Sequence, residues 1–178
     1  RSRGLGDVYK RQDVIYDDCQ LIHNHSAWSF VPWHYLNGIV NTSISKTAKY
    51  RRQTPEGDRE ERERISHQFD AKYLLAIMNS SYASKWLAKH RQSKIHIYPN
   101  DWKQLPIALI PLKEQEPFVQ FVDAILAEFA QHGVPLPPEA AAHVAAWEAE
   151  LNALVYQVYK LEKPEIALIE GSLADSNK

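Results

Sequence analysis

The chain has 178 residues, enough for one hydrophobic core with a helical extension. Its single cysteine, Cys19, excludes a disulfide framework and a cysteine-rich zinc site, and no apolar run has the length of a membrane span. We therefore expect a cytoplasmic protein. Residues 1–110 hold 17 Lys and Arg against 11 Asp and Glu, whereas residues 111–178 hold 4 against 11. A basic front half and an acidic back half favour phosphate and protein partners, respectively.

The front half begins with residues 1–12, which show no apolar period and are predicted to be a leader outside the fold. Residues 13–32 are rich in β-branched and aromatic side chains around a polar turn, which predicts two short strands. Residues 33–38 predict a tight turn or a brief helix, and residues 41–50 a polar strand or loop. Acids and arginines alternate at helical spacing in residues 59–68, as is typical of a solvated helix face.

The central stretch starts with a well-marked helix at Asp70. Its carboxylate can accept hydrogen bonds from the first free amides of the helix, and Phe69 can pack on Leu74 from just outside it. Residues 71–100 then contain five Lys or Arg and no acid, interleaved with tyrosine, tryptophan and histidine. Such a stretch indicates a polyanionic partner.

The strand and helix patterns of the remaining chain complete the predicted fold. Residues 94–98 and 105–110 are expected to be short strands, and residues 111–133 show the clearest helical period in the chain. A second long helix begins near Pro138 with apolar residues three and four apart, which predicts that it packs on a neighbouring helix. A short last helix opens at Pro164.

The predicted fold class is therefore α+β. A small mixed or antiparallel sheet with packed helices is expected over residues 13–112, which form the predicted recognition region. A C-terminal helical hairpin is expected within residues 113–178.

No catalytic motif is evident. The chain lacks a GxGxxG or phosphate-loop pattern and the Asn-Pro-Pro-aromatic motif of adenine methyltransferases. Asp101 and Lys103 have the acid-x-lysine spacing of metal-dependent nucleases, but no upstream carboxylate partners them. His23, His25 and His34 invite a metal interpretation, yet no carboxylate or thiol completes a ligand set. We predict neither a catalytic residue nor a metal site.

Two clusters of cations give a more discriminating signal, because their number and polar neighbours fit a phosphate-contacting surface. The predicted phosphate contacts are Lys46, Lys49, Arg51, Arg52, Lys85, Lys89, Arg91 and Lys94. Arginine, asparagine and glutamine can also pair with purine edges in the major groove. The predicted base-contacting residues are His23, Asn24, His25, Asn41, Arg51, Arg52 and Gln53.

An ordered succession of segments runs along the chain: KYLLAIMNSSYASKWLAKHR, SKIHIYPNDWKQLPIALI, EQEPFVQFVDAIL and ELNALVYQVYKLEKPEIALIE. This succession resembles the C-terminal specificity domains of TaqI-like and type IIG restriction-modification adenine DNA methyltransferases and, more loosely, type I specificity subunits. The similarity extends over roughly residues 13–171.

The resemblance implies a target recognition domain that binds double-stranded DNA. It also implies methyl transfer to adenine from S-adenosylmethionine, bound in a methyltransferase domain N-terminal to this region; no residue here is assigned to that cofactor. The C-terminal helices would contact the methyltransferase domain or subunit. Two alternatives stay open: a helical protein-interaction module without DNA binding and, more weakly, a metal-dependent nuclease.

Overall fold

The computed structural model describes residues 14–17, 30–39, 42, 58–93 and 97–176, with side chains described as far as residue 171. Within these ranges the chain is helical. A 3-10 helix, Trp33–Leu36, precedes seven α-helices: α1 (Arg59–Ser66), α2 (Ala71–Asn79), α3 (Ser81–His90), α4 (Pro99–Trp102), α5 (Leu112–His132), α6 (Pro138–Val158) and α7 (Lys163–Ser176).

The predicted α+β class, with its small mixed or antiparallel sheet, is wrong, because the described ranges contain helices and no strand. Residues 105–110 form an irregular segment whose backbone is bonded by tyrosines. The Tyr73 hydroxyl donates to the Ala108 carbonyl at 2.7 Å, and the Tyr159 hydroxyl donates to the Pro106 carbonyl at 2.5 Å and accepts from the Ala108 amide at 3.2 Å. Side chains from α2 and from the end of α6 thus take the place of a neighbouring strand.

Other predictions for the front half have mixed outcomes. The brief helix expected in residues 33–38 is confirmed as the 3-10 helix, and the solvated helix expected in residues 59–68 is confirmed as α1. Residues 14–17 and 30–32 belong to no strand. The predicted leader, the remainder of the predicted strands in 13–32, and residues 94–96 lie outside the described residues.

Two polar side chains set the boundaries of α2 and α3. Asp70 caps α2 as predicted, since its Oδ1 accepts from the Lys72 amide at 2.7 Å. Ser80 then ends α2 and begins α3: its hydroxyl donates to the Ile77 carbonyl at 2.7 Å and accepts from the Ala83 amide at 3.1 Å. The extended backbone at Ser80, with φ −68° and ψ 156°, separates the apolar α2 from the basic α3.

The main core lies between α2 and the two long helices, α5 and α6, which are present as predicted. Its fully or almost fully buried side chains are Tyr73, Ala76, Ile77, Phe118, Val122, Leu151 and Val155. A smaller second cluster is formed by Ala83 and Leu87 of α3, Trp102 of α4 and Leu105. The second cluster fixes the orientation of α3 and hence of its cations.

Candidate nucleic-acid interface

Helix α3 carries two of the predicted phosphate contacts on the side opposite its buried residues. Ala83 and Leu87, four residues apart, are 0% and 3% exposed. Lys85 and Lys89 each follow one of them by two residues, which places them about 200° further around the helix. Lys89 is exposed and Lys85 half-buried, so apolar burial on one side presents a row of ammonium groups on the other. Arg91, half-buried, directly follows the helix as its C-cap residue and adds a third cation near the row.

These cations differ in their ion pairing from three cations near α1 and α2. Arg59 bonds Glu63 at 2.6 Å, Arg64 bonds Glu61 at 2.6 Å, and Lys72 pairs with Asp123. In the part of the chain that the structure describes, no carboxylate lies within ion-pair distance of Lys85, Lys89 or Arg91. Their charges are therefore not neutralised by the described acids.

The carboxylate nearest to this row in the sequence, Asp101, is turned inward. It is 1% exposed, its Oδ2 accepts from the Tyr98 amide at 2.8 Å, and its Oδ1 accepts from the Gln92 amide at 3.1 Å. Asp101 thus holds the start of α4 against the chain that leaves α3. Both of its oxygens accept from backbone amides, and no ion pair joins it to the described cations; Lys103 is exposed and bonds Asn100 at 3.3 Å.

An aromatic pair lies beside the cation row on α3. Trp86 and His90 stack with ring centroids 4.3 Å apart and an interplanar angle of 19°. Each follows a lysine of the row by one residue, so the pair forms a second row about 100° around the helix. Trp86 packs against the second core cluster, whereas His90 is exposed. Both residues are among the aromatics interleaved with the cations in the sequence; Trp86 was predicted to be buried and is half-buried, and neither was predicted to contact DNA.

The structure brings together only part of the predicted site. Lys85 and Lys89 lie on one side of α3, and Arg91 is its C-cap residue. The other predicted contacts lie outside the described residues: His23, Asn24, His25, Asn41, Lys46, Lys49, Arg51, Arg52, Gln53 and Lys94.

A contact that the sequence did not predict joins the 3-10 helix to α1. The Ser66 hydroxyl donates to the Glu63 carbonyl at 3.0 Å and accepts from the His34 amide at 2.8 Å. Its single proton is thereby used, so the His34 Nδ1, 3.0 Å away, donates to it. The His34 ring also stacks on His67 with centroids 4.6 Å apart. Burial, and then the charge of His67, lower the pKa of His34, against smaller opposing effects of Ser66 and Asp70.

The metal interpretation finds no support in the described ranges, where no group of three His, Cys, Asp or Glu side chains could hold a metal ion. His34 is bonded to Ser66, and His23 and His25 lie outside those ranges.

A shallow groove of about 360 Å³ lies on a different part of the surface. It is lined by His67, Gln68, Leu109, Ile110, Pro111 and Leu112. Leu109 and Leu112 are 58% and 53% exposed, which is unusual for two leucines so close together in the sequence. The groove is mainly apolar and offers no arrangement of acid, base and nucleophile.

No protein-family model, curated protein or solved structure matches the chain. Among the described helices, none combines the length and apolar character needed to cross a bilayer. The family resemblance drawn from the sequence segments stays a prediction.

Proposed function

We propose that this chain binds double-stranded DNA as the target recognition region of a restriction-modification adenine DNA methyltransferase. Three features support the proposal: the resemblance of the ordered segments, the excess of cations in residues 1–110, and the basic row of α3, in which Lys89 is exposed and Lys85 half-buried. The recognition region is helical in its described part. A helix suits this role because the major groove of DNA admits an α-helix.

The basic row of α3 is the observation that carries the proposal. Near α1 and α2, Arg59, Arg64 and Lys72 each have a carboxylate partner. Such solvated ion pairs stabilise the folded protein only slightly. Lys85, Lys89 and Arg91 have no such pair with the described acids, and the adjacent Asp101 is buried. Phosphate oxygens would supply the missing counter-charge, with release of condensed cations from the DNA as the driving force.

Methyl transfer itself belongs, in this proposal, to a separate methyltransferase domain that binds S-adenosylmethionine. The acidic back half would contact that domain or subunit through α5, α6 and α7. Its charge suits this division, because 11 acids against 4 cations in residues 111–178 would repel a phosphate backbone.

The proposal is tested by measuring binding of the full chain to a fluorescent duplex at several salt concentrations. The Lys85→Gln/Lys89→Gln variant should weaken binding to all sequences and reduce the slope of log affinity against log salt by about 1.8, since each phosphate contact contributes about 0.9. The matched control, Lys113→Gln/Lys163→Gln, removes the same charge from exposed positions of the back half and should leave the slope unchanged. Absence of salt-dependent duplex binding by the unmodified chain would refute the proposal.

A helical protein-interaction module is the second candidate, favoured by the groove beside Leu109 and Leu112. In that case the basic row is a solvated surface, and an Arg51→Ala/Arg52→Ala/Lys89→Ala variant would leave the measured DNA affinity unchanged. A metal-dependent nuclease has no support in this geometry, because the Asp101 carboxylate on which it depends is buried and bonded to two amides.

A further inference from the structure

The hydrogen bonding of His90 fixes which of its ring nitrogens carries a proton. The Nδ1 lies 2.8 Å from the Trp86 carbonyl oxygen. A carbonyl oxygen only accepts hydrogen bonds, so Nδ1 must donate and must be protonated. In the neutral ring the other nitrogen, Nε2, therefore has a free lone pair and acts as an acceptor.

The position of this acceptor is also restrained. Stacking of His90 on Trp86 holds the plane of the imidazole, and Trp86 is itself packed against the second core cluster. His90 is exposed and has the cations Lys89 and Arg91 as its chain neighbours. The structure thus presents one oriented hydrogen-bond acceptor on a residue that is flanked in the chain by two cations.

An acceptor in that place suits a base and not a phosphate. Phosphate oxygens only accept hydrogen bonds, so the neutral His90 ring cannot bond them through Nε2, whereas the neighbouring ammonium and guanidinium groups can. In the major groove the donors on base edges are the exocyclic amino groups of adenine and cytosine. The cations would contact the DNA phosphates, while the His90 Nε2 would accept a hydrogen bond from one amino group.

We propose that His90 is a base-recognition residue whose unprotonated Nε2 accepts a hydrogen bond from the exocyclic amino group of an adenine or a cytosine in the major groove. The inference rests on the proposed duplex binding and adds to it a specificity-determining residue. If His90 only capped the end of α3, its Nδ1 bond to the Trp86 carbonyl would be explained, but its Nε2 would have no function.

The first experiment selects tight-binding sequences from a synthetic duplex library with a randomised centre, at about pH 8, where an ordinary imidazole is uncharged. The unmodified chain, His90→Phe and His132→Phe are compared. Phenylalanine keeps an aromatic ring on Trp86 and removes both nitrogens. His132, like His90, lies in the last turn of its helix but belongs to the back half, so it is the matched control.

We expect His90→Phe to lose the preference for adenine or cytosine at one position, by about tenfold, while its affinity for unselected DNA and its salt slope stay unchanged. The His132→Phe control should enrich the same sequence as the unmodified chain. Enrichment of an identical sequence by His90→Phe would overturn the inference and leave duplex binding intact. Failure of the unmodified chain to retain any duplex would instead refute the proposed function.

A second experiment identifies the amino group. The enriched base is replaced by its analogue without that group, purine for adenine or 2-pyrimidinone for cytosine. The unmodified chain should then lose about the same affinity as His90→Phe loses on the natural duplex, and the two changes together should cost no more than one alone. Additive losses would show that His90 does not contact that amino group.

Discussion

The side chain of Asn79 bonds both main-chain groups of Val14. The Val14 amide donates to Asn79 Oδ1 at 2.8 Å, and Asn79 Nδ2 donates to the Val14 carbonyl at 2.7 Å. One residue near the beginning of the chain is thereby attached to the end of α2, 65 positions away. The pair has the donor and acceptor pattern of a strand ladder, although one partner is a side chain.

Replacing Asn79 with alanine should remove both main-chain hydrogen bonds of Val14 without unfolding the helices, because both bonds are exposed, neither core cluster includes Asn79, and the Val14 side chain still packs against the second cluster. We expect the free energy of unfolding to fall by less than about 1 kcal/mol. The Val14 amide should nevertheless lose its protection against hydrogen exchange, which mass spectrometry or NMR would measure. Retained protection in Asn79→Ala would show that other contacts hold this segment.

The Gln115 side chain is the polar centre of the main core, and its removal should be far more costly. It is 0% exposed: its Oε1 accepts from the Asp70 amide at 2.8 Å, and its Nε2 donates to the Gln68 and Ile110 carbonyls at 2.7 and 2.9 Å. Gln115→Ala leaves three part-buried backbone groups without the partner described here, so we expect a loss on the order of 3 kcal/mol in urea unfolding.

The matched control for Gln115→Ala is Gln120→Ala, an exposed glutamine of the same helix, which should change stability by less than about 0.5 kcal/mol. Equal effects of the two substitutions would contradict the bonding described for Gln115.

The docking of the 3-10 helix on α1 should weaken in acid. Burial and the charge of His67 lower the pKa of His34 from its ordinary value of 6.5, so the folded state prefers the neutral ring. The stabilisation is therefore complete above about pH 6.5 and is lost as the pH falls through that value towards the lower folded pKa. Arg62, placed over the Trp33 ring, adds positive charge to the same contact, whereas Arg59, bonded to the Leu36 carbonyl at 2.6 Å, is paired with Glu63.

Hydrogen exchange of residues 33–39 measures this effect, after correction for the intrinsic pH dependence of exchange. Protection should fall between pH 7.5 and pH 5.5 in the unmodified chain and change much less in His34→Asn, which keeps a polar side chain without a titrating ring. An equal loss of protection in both proteins would assign the pH dependence to another group.

Local features of the sequence predicted the helices well. The apolar period in residues 118–129 is long enough to define α5, and the Asp70 cap depends on residues within one turn. The basic row of α3 could also be predicted, because Lys85 and Lys89 are four residues apart in a helical stretch and need only a buried opposite side. These features depend on neighbours in the sequence.

The prediction of a sheet was wrong because it used only short runs of neighbouring residues. The hydrogen bonds that replace the sheet come from residues far away in the sequence. A short apolar run such as residues 105–110 has the same pattern whether another strand or a side chain bonds its backbone. Here the bonds come from Tyr73 and Tyr159, which are 35 and 51 positions from Ala108. The inward orientation of Asp101 was likewise hidden, because it depends on the amide of Gln92 across the end of α3.

The Tyr159 hydroxyl should therefore be essential to the segment that was predicted to be a strand. It is the described partner of both the Pro106 carbonyl and the Ala108 amide, and burial raises its pKa, so it stays protonated as a donor. Tyr159→Phe keeps the ring stacked on Tyr82 and leaves two backbone groups unpaired, which should cost about 1 to 3 kcal/mol of unfolding free energy. Tyr82→Phe is the matched control, since no hydrogen bond joins that hydroxyl to the described residues. It should lower stability by less than about 0.5 kcal/mol, and a similar cost for both variants would show that the rings, and not the Tyr159 hydroxyl, hold the segment.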